Sequence, residues 1–237
     1  MRAPRRRVLI VAPMRMELRP VVRALGARRS AERGVTVQLA WVGDVSVVAA
    51  PIGVGPTIAA RNTIQLLDAQ APDFVLVSGI AGGLDPQTAI GTVLVPETVI
   101  DRGSGRRFHP EPIPGVEPAG VIATSHELIT DDARLDALRA DGVVAVDMET
   151  AAVAEVCTER SLPWSAFRAV SDRPSDGLVD QAIFAMLQPD GRSSGWRAAR
   201  FVVTHPRRLP HLVRLGRDSS LGARRAAQAA VAACARL

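Results

Sequence analysis

Short apolar runs rich in β-branched residues recur along the chain, at Val8 to Val11, Val47 to Ala50, Phe74 to Val77, Val93 to Val95 and Phe167 to Val170. Runs with no polar face need cover on both sides, so this recurrence, with helical patterns between the runs, implies an α/β fold. Its centre is expected to be a mostly parallel, mixed, twisted sheet flanked by helices. Leu18, Val21, Val22 and Leu25 fall at i, i+3, i+4 and i+7, the stripe of an amphipathic helix. Ala60, Ile64 and Leu67 repeat that spacing, as do Met148, Ala152 and Val156. Residues 102–120 carry four prolines and four glycines and read as a loop. A chain of 237 residues can bury its core as one domain, so a single domain over 1–237 is expected, with a basic C-terminal extension over 192–237.

Composition removes several function classes. All 29 basic residues are arginine, which excludes lysine Schiff-base chemistry and a P-loop lysine. Residues 192–237 hold ten arginines against the single acid Asp218, or +9, so the remainder carries about −4 of the total +5. Such a tail suits nucleic acid or a membrane surface. Five Phe, three Trp and no Tyr leave few stacking platforms, so no nucleic-acid partner is expected. Cys157 and Cys234 show neither disulfide nor zinc spacing, and a reducing cytoplasm fits them. The opening MRAPRRRVLIVAPM breaks at Pro13, Arg15 and Glu17 without a cleavage site, so it reads as a first strand rather than a leader. No stretch approaches the roughly 18 uncharged apolar residues of a membrane span.

In an open parallel sheet the ligand lies beyond the carboxyl ends of the strands, which directs attention to the residues closing each run. Glu17 follows the first run, Gly53-Val54-Gly55 the second and Gly79-Ile80-Ala81-Gly82-Gly83 the third, while Ser171 and Asp172 close the last. Each has a bland reading. Glu17 suits a helix's first turn, and the glycines suit tight strand-to-helix turns. Asp147 can cap a helix, and Arg168 can pair with Asp172 four residues on. Capping leaves Glu149 over, however, and a buried carboxylate is costly unless used or paired.

Taken together, the segments VAPMRMEL, GVGPTIAA, SGIAGGL with IGTVLVPE, VDMETAAVA and FRAVSD resemble the nucleoside phosphorylase and nucleosidase superfamily over nearly the whole chain. The superfamily includes purine and uridine phosphorylases and methylthioadenosine/adenosylhomocysteine nucleosidases. The resemblance implies cleavage of the bond between a purine and its ribose. It assigns activation of the attacking water to Glu17, acceptance of the ribose hydroxyls to Glu149, and the acid at the N7 side of the base to Asp172. It implies that Met148 lines the ribose, that Ser171 and Arg168 support the acid, and that Ile80, Ala81 and Gly82 belong to the substrate site. Leu128 and Ile129 correspond to the apolar pair whose backbone meets the base. No metal and no cofactor are implied. Loss of a purine develops positive charge on the sugar and negative charge on the base, which is why such a site needs both carboxylates and an acid.

Phosphorylases of this superfamily hold phosphate with an arginine and a serine around the glycine matching Gly79, and this chain has Val77 and Ile80 there. Without those charge-assisted donors, water is the expected nucleophile. Ile80 also departs from the methylthioadenosine nucleosidases, which carry a small hydroxyl residue. The tail, with AMLQPDG and THPRRLPHLVRLGRDSS, resembles the hopanoid-associated phosphorylases and implies an adenosyl-hopane lipid precursor as substrate. Alternatives are a methylthioadenosine/adenosylhomocysteine nucleosidase, a futalosine hydrolase, a phosphate-dependent phosphorylase, or a non-catalytic nucleoside or membrane-surface binder. A homodimer is expected. So is peripheral contact with the inner membrane surface, through basic residues interleaved with Trp196, Phe201, Val202, Val203, Leu209, Leu212, Val213 and Leu215, in short pieces broken at Pro206 and Pro210.

Overall fold

The computed structural model describes residues 6–173, 176 and 208–237. Its elements in chain order are β1 (Arg6–Ala12), α1 (Arg15–Leu25), β2 (Arg28–Glu32), β3 (Val35–Val42), β4 (Val45–Pro51), α2 (Pro56–Gln70), β5 (Phe74–Gly83), β6 (Val93–Leu94), β7 (Thr98–Asp101) and β8 (Arg107–Phe108). There follow β9 (Val121–Thr124), α3 (Asp132–Ala140), β10 (Val143–Asp147), α4 (Thr150–Glu159), β11 (Trp164–Asp172) and a helix at Leu209–Cys234, here α5. The strands form one mixed sheet, ordered β2-β3-β4-β1-β5-β10-β9-β7-β8, with β11 and β6 branching from β5. Its centre is parallel: β1 runs alongside β4 and β5, and β11 alongside β5. The antiparallel pairs include β2-β3-β4 at one margin and β5-β10 in the middle of the sheet.

Alternation along the central strands sorts the core into two layers. Leu9, Val11, Val48, Val75, Val77 and Ala166 pack beneath α2 and α4. Val8, Ile10, Val47, Phe74, Leu76 and Phe167 pack with α1 and α5. All five apolar runs lie in strands. Six further strands were not anticipated. Arg28–Glu32 is a polar edge, Val121–Thr124 is short, and the VVAVD of β10 runs directly into the DME that precedes α4.

Two expectations need correction. Residues 79–83 are not a strand-to-helix turn but the second half of a ten-residue strand, β5, which continues to antiparallel pairing with β10. The buried stripe of α2 is Ala59, Thr63, Leu66, Leu67 and Gln70, and Ile64 is 41% exposed. The stripe is turned by about one residue because Ala59, rather than Ala60, begins it.

The tail is also more integral than an extension. Residues 177–207, including Ala185 to Gly191, Trp196, Phe201, Val202, Val203 and Pro206, lie outside the described residues. From Leu209 onward the chain is one 26-residue helix. Pro210 sits in its first turn, where a missing N–H costs no hydrogen bond, so it starts the helix instead of breaking it. Ala223, Ala226, Ala227, Ala230 and Ala233 form its buried stripe, and their small size lets α5 lie close to the sheet. Ala227→Leu is therefore expected to lower the free energy of unfolding in urea by about 1–3 kcal/mol through overpacking. The exposed Arg224→Ala should stay within about 0.5 kcal/mol of wild type. Equal effects at the two sites would contradict the close packing of α5.

Candidate active site

Glu17 stands in the first turn of α1, directly past the end of β1. Its Oε2 accepts from the backbone N–H of Met14 at 2.7 Å, which is the ordinary helix-start role. Its Oε1 accepts from the backbone N–H of Ile80 at 2.8 Å, which ties the helix start to β5. The residue is only 1% exposed. Burial pushes its carboxyl above the usual carboxylate range, against the pull of Arg168 and of the two N–H donors.

Arg168 is fully buried on β11, beside Gly79 of β5. Its Nη2 lies 2.6 Å from Asp147 Oδ2 and 3.6 Å from Glu149 Oε2, and its Nη1 lies 3.9 Å from Glu17 Oε1. Nε donates to the Thr150 hydroxyl at 2.9 Å. Gly79 is glycine for space: a Cβ there would stand 2.3 Å from Arg168 Nη1 and 2.4 Å from Glu17 Oε1. Glu149 also accepts from the backbone N–H of Gly55 at 2.9 Å. Gly55 has a φ of 87°, which brings that N–H round at the start of α2. Three carboxylates around one guanidinium would leave a net charge of −2 in a buried site, a balance that favours the protonated forms of Glu17 and Glu149. Glu149 is pushed up to about 8, chiefly by desolvation, with Asp147 adding repulsion and Arg168 opposing it.

Asp172 closes β11. It accepts from the Ser171 hydroxyl at 2.5 Å, and its Oδ2 lies 3.6 Å from where a Cβ on Gly82 would stand. Burial raises its carboxyl, the Ser171 hydroxyl opposes that, and the Asp176 charge adds to it. The next residue, Arg173, donates to the carbonyls of Pro86 at 2.7 Å and Thr88 at 3.3 Å, which anchors this end of the strand.

The structure thus brings Glu17, Glu149 and Arg168 together, with Asp172 and Ser171 at the end of the same strand as Arg168. Arg168 does not pair with Asp172, and its support goes to the other three acids. Met148 is half-buried between Asp147 and Glu149. Ile80 turns away from Arg168, its Cγ2 3.2 Å from the Cβ position of Gly222 on α5, and contributes its N–H to the site. Ala81 offers its carbonyl toward Ser171. Val77 is buried in the core. The Ile129 side chain is buried with Leu84, Leu135 and Leu138, leaving half-buried Leu128 beside it. The sequence reading missed Thr124, Thr150 and the pairing of Asp147, and it marked Gly55 without its bond to Glu149. Thr124 was within reach, because it closes the short run Val121 to Ala123 as Ser171 closes its own. Among the described residues no group of three His, Cys, Asp or Glu is arranged to hold a metal ion.

Comparison with known proteins bears on the family and the fold. The family model described as the phosphorylase superfamily matches residues 7–129 and 112–204. The 5'-methylthioadenosine/S-adenosylhomocysteine nucleosidase of Marinomonas sp. (strain MWYL1) is 31% identical over 156 residues, which cover 53% of this chain and 68% of the relative. That of Geobacillus thermodenitrificans is 29% identical over 158 residues, covering 54% and 67%. Among solved structures, the Helicobacter pylori 5'-methylthioadenosine/S-adenosylhomocysteine nucleosidase superposes with a TM-score of 0.73 at 17% identity, covering 98% of this chain and 99% of that one. The futalosine hydrolase of Helicobacter pylori does so with 0.70 at 17% identity, covering 97% of each. With this sheet, this acidic cluster and a family match over most of its length, the chain belongs to the phosphorylase superfamily.

Proposed function

We propose that the chain is a nucleosidase that hydrolyses the N-glycosidic bond of a purine nucleoside, releasing adenine, with water as the attacking group. The observation that carries this reading is the buried Arg168 facing Glu17 and Glu149, with Asp172 four residues further along β11. In this scheme Glu17 takes a proton from water as its oxygen bonds to the anomeric carbon of the ribose. Glu149 accepts the ribose hydroxyls and gains interaction as positive charge develops on the sugar. Asp172 gives its proton to the leaving purine as the carbon–nitrogen bond breaks. The two proton steps balance, and exchange with solvent resets both acids. Burial of Val77 and the turn of Ile80 toward α5 support water over phosphate, because neither supplies a charged donor for an oxyanion. Release of free ribose product in phosphate-free buffer is expected. Accumulation of ribose-1-phosphate, with turnover that stops without phosphate, would overturn the hydrolytic reading.

The pH dependence follows from the same groups. Asp172 must hold its proton, and its raised carboxyl keeps activity until pH climbs through its folded value. Glu17 and Glu149 must be ionised, so activity falls as pH drops through their raised values. The profile of kcat/KM is then bell-shaped. Asp172→Asn should remove the alkaline limb and cut turnover by about 10² or more, and Glu149→Gln and Glu17→Gln should cost a similar factor. A well-folded Asp172→Asn with near-normal rates would sink its assignment as the acid.

For the substrate, the relatives' names support a small 5'-substituted adenine nucleoside. The adenosyl-lipid alternative keeps one observation: Leu209 and Val213, at the start of α5, are 46% and 63% exposed beside arginines. Among the described residues no helix is long and apolar enough to cross a membrane, so any contact would be peripheral. Free adenine measured from methylthioadenosine, adenosylhomocysteine and an adenosyl lipid, with co-sedimentation on anionic vesicles, decides between them. Preference for the soluble nucleosides and a protein left in the supernatant at low salt are expected. The reverse pair of results would favour the lipid.

A further inference from the structure

Asp147 is the acid of the cluster to which the chemistry above gives no task. It ends β10 and is buried, and it makes the shortest of the Arg168 ion pairs, 2.6 Å against 3.6 Å for Glu149 and 3.9 Å for Glu17. Its own carboxylate is fixed from two sides. The Thr124 hydroxyl donates to Oδ1 at 2.6 Å, and the Thr150 hydroxyl and backbone N–H both reach Oδ2, the latter at 3.2 Å. Thr124 is held in turn by the N–H of Ala151 at 2.9 Å, and Thr150 by Arg168 Nε at 2.9 Å. Thr124 of β9 and Thr150 of α4 therefore hold the Asp147 carboxylate of β10 against the guanidinium.

A guanidinium carries one charge, and the carboxylate in direct contact with it takes the largest share of the stabilisation. Were Glu17 that partner, it would be held ionised and would take a proton from water poorly. Were Glu149 that partner, it would meet the ribose with its oxygens already engaged. We propose that Asp147 is a positioning residue for the hydrolysis put forward above, on which this inference rests: by occupying Arg168 it leaves Glu17 basic enough to accept a proton from water and Glu149 free for the ribose hydroxyls. The charged groups around Glu17 agree in sign. Burial raises its carboxyl most, Arg168 from β11 and the neutral N–H donors of Ile80 and Met14 lower it, and Asp147 from β10 adds to the rise. Glu149, ahead of α4, responds to the same two charges in the same directions and receives the Gly55 N–H.

The test follows kcat/KM against pH, together with the ¹³C carboxyl titration of Glu17 assigned through Glu17→Gln, in wild type, Asp147→Asn, Asp147→Glu and Thr124→Val. In Asp147→Asn the acid limb of the rate profile and the Glu17 titration should both move to lower pH by about one unit, a tenfold change in proton affinity, with kcat down about tenfold or more. Asp147→Glu, which keeps the charge, should return both toward wild type. Thr124→Val, which only loosens Asp147, should shift both in the same direction by less, and it carries the comparison if Asp147→Asn does not fold. An unmoved Glu17 titration in a folded Asp147→Asn or Thr124→Val protein overturns the proposal, whatever happens to the rate. A wild-type protein that releases no base from any adenine nucleoside defeats the nucleosidase reading instead, and the titration still decides the role of Asp147.

Discussion

The burial of the Arg168 guanidinium is the constraint to which the rest of the site is fitted. A charge removed from water costs several kcal/mol unless paired and hydrogen-bonded, and Arg168 is paired with Asp147, Glu149 and Glu17 and hydrogen-bonded through Nε to the Thr150 hydroxyl. The partners come from α1, β10, the residue before α4, and α4 itself, so one side chain ties both helical layers to the sheet. Gly79 is the steric counterpart, because any side chain there would occupy the space of the Glu17–Arg168 contact. The cluster carries more acid than base, and burial together with that imbalance pushes the Glu149 carboxyl up to about 8.

The sheet makes this possible through the length of β5. Its first half pairs with β1 in parallel and β11 runs parallel to it from Val75 to Gly82, so that Arg168 stands opposite Gly79, just past the point where β1, and hence Glu17, leaves the sheet. Its second half pairs with β10 antiparallel, which brings Asp147 and Glu149 to the same place from the opposite direction. A βα turn after Val77 would have separated these groups. The glycines of residues 79–83 let the strand run on because they take up no room: Gly83 would press a Cβ 2.8 Å from Val170, as Gly79 would on Arg168.

Much of this was legible in the amino-acid order, and the exceptions have physical causes. The apolar runs marked the central strands, since strands covered on both faces must be apolar along their length. The ends of those runs marked Glu17, Ser171 and Asp172, while Arg168 lies inside the last of them. What stayed hidden was pairing. Asp147 reads as a helix cap because two residues follow it before an alanine-rich helix, and its N–H contact with Thr150 is of that kind. Its bond to Arg168 spans 21 residues and two secondary-structure elements, and no local pattern reports such a contact. The α2 stripe was misjudged for a related reason. Thr63 and Gln70 are buried there, so apolar spacing alone selects the wrong face.

Ile80 joins the site to the far end of the chain. Its strand position turns the side chain to the α5 layer, where the missing Cβ of Gly222 leaves room for it, while its backbone N–H faces Glu17. The bond to Glu17 therefore does not depend on the chemistry of the side chain. A branched apolar residue can replace a hydroxyl at this point without loss of that donor, provided that a glycine stands opposite on α5. The two halves of the residue then have separate tasks: the N–H holds the acid, and the side chain fixes β5 against the C-terminal helix, so the small residues of that helix support the geometry around Glu17 from outside the site.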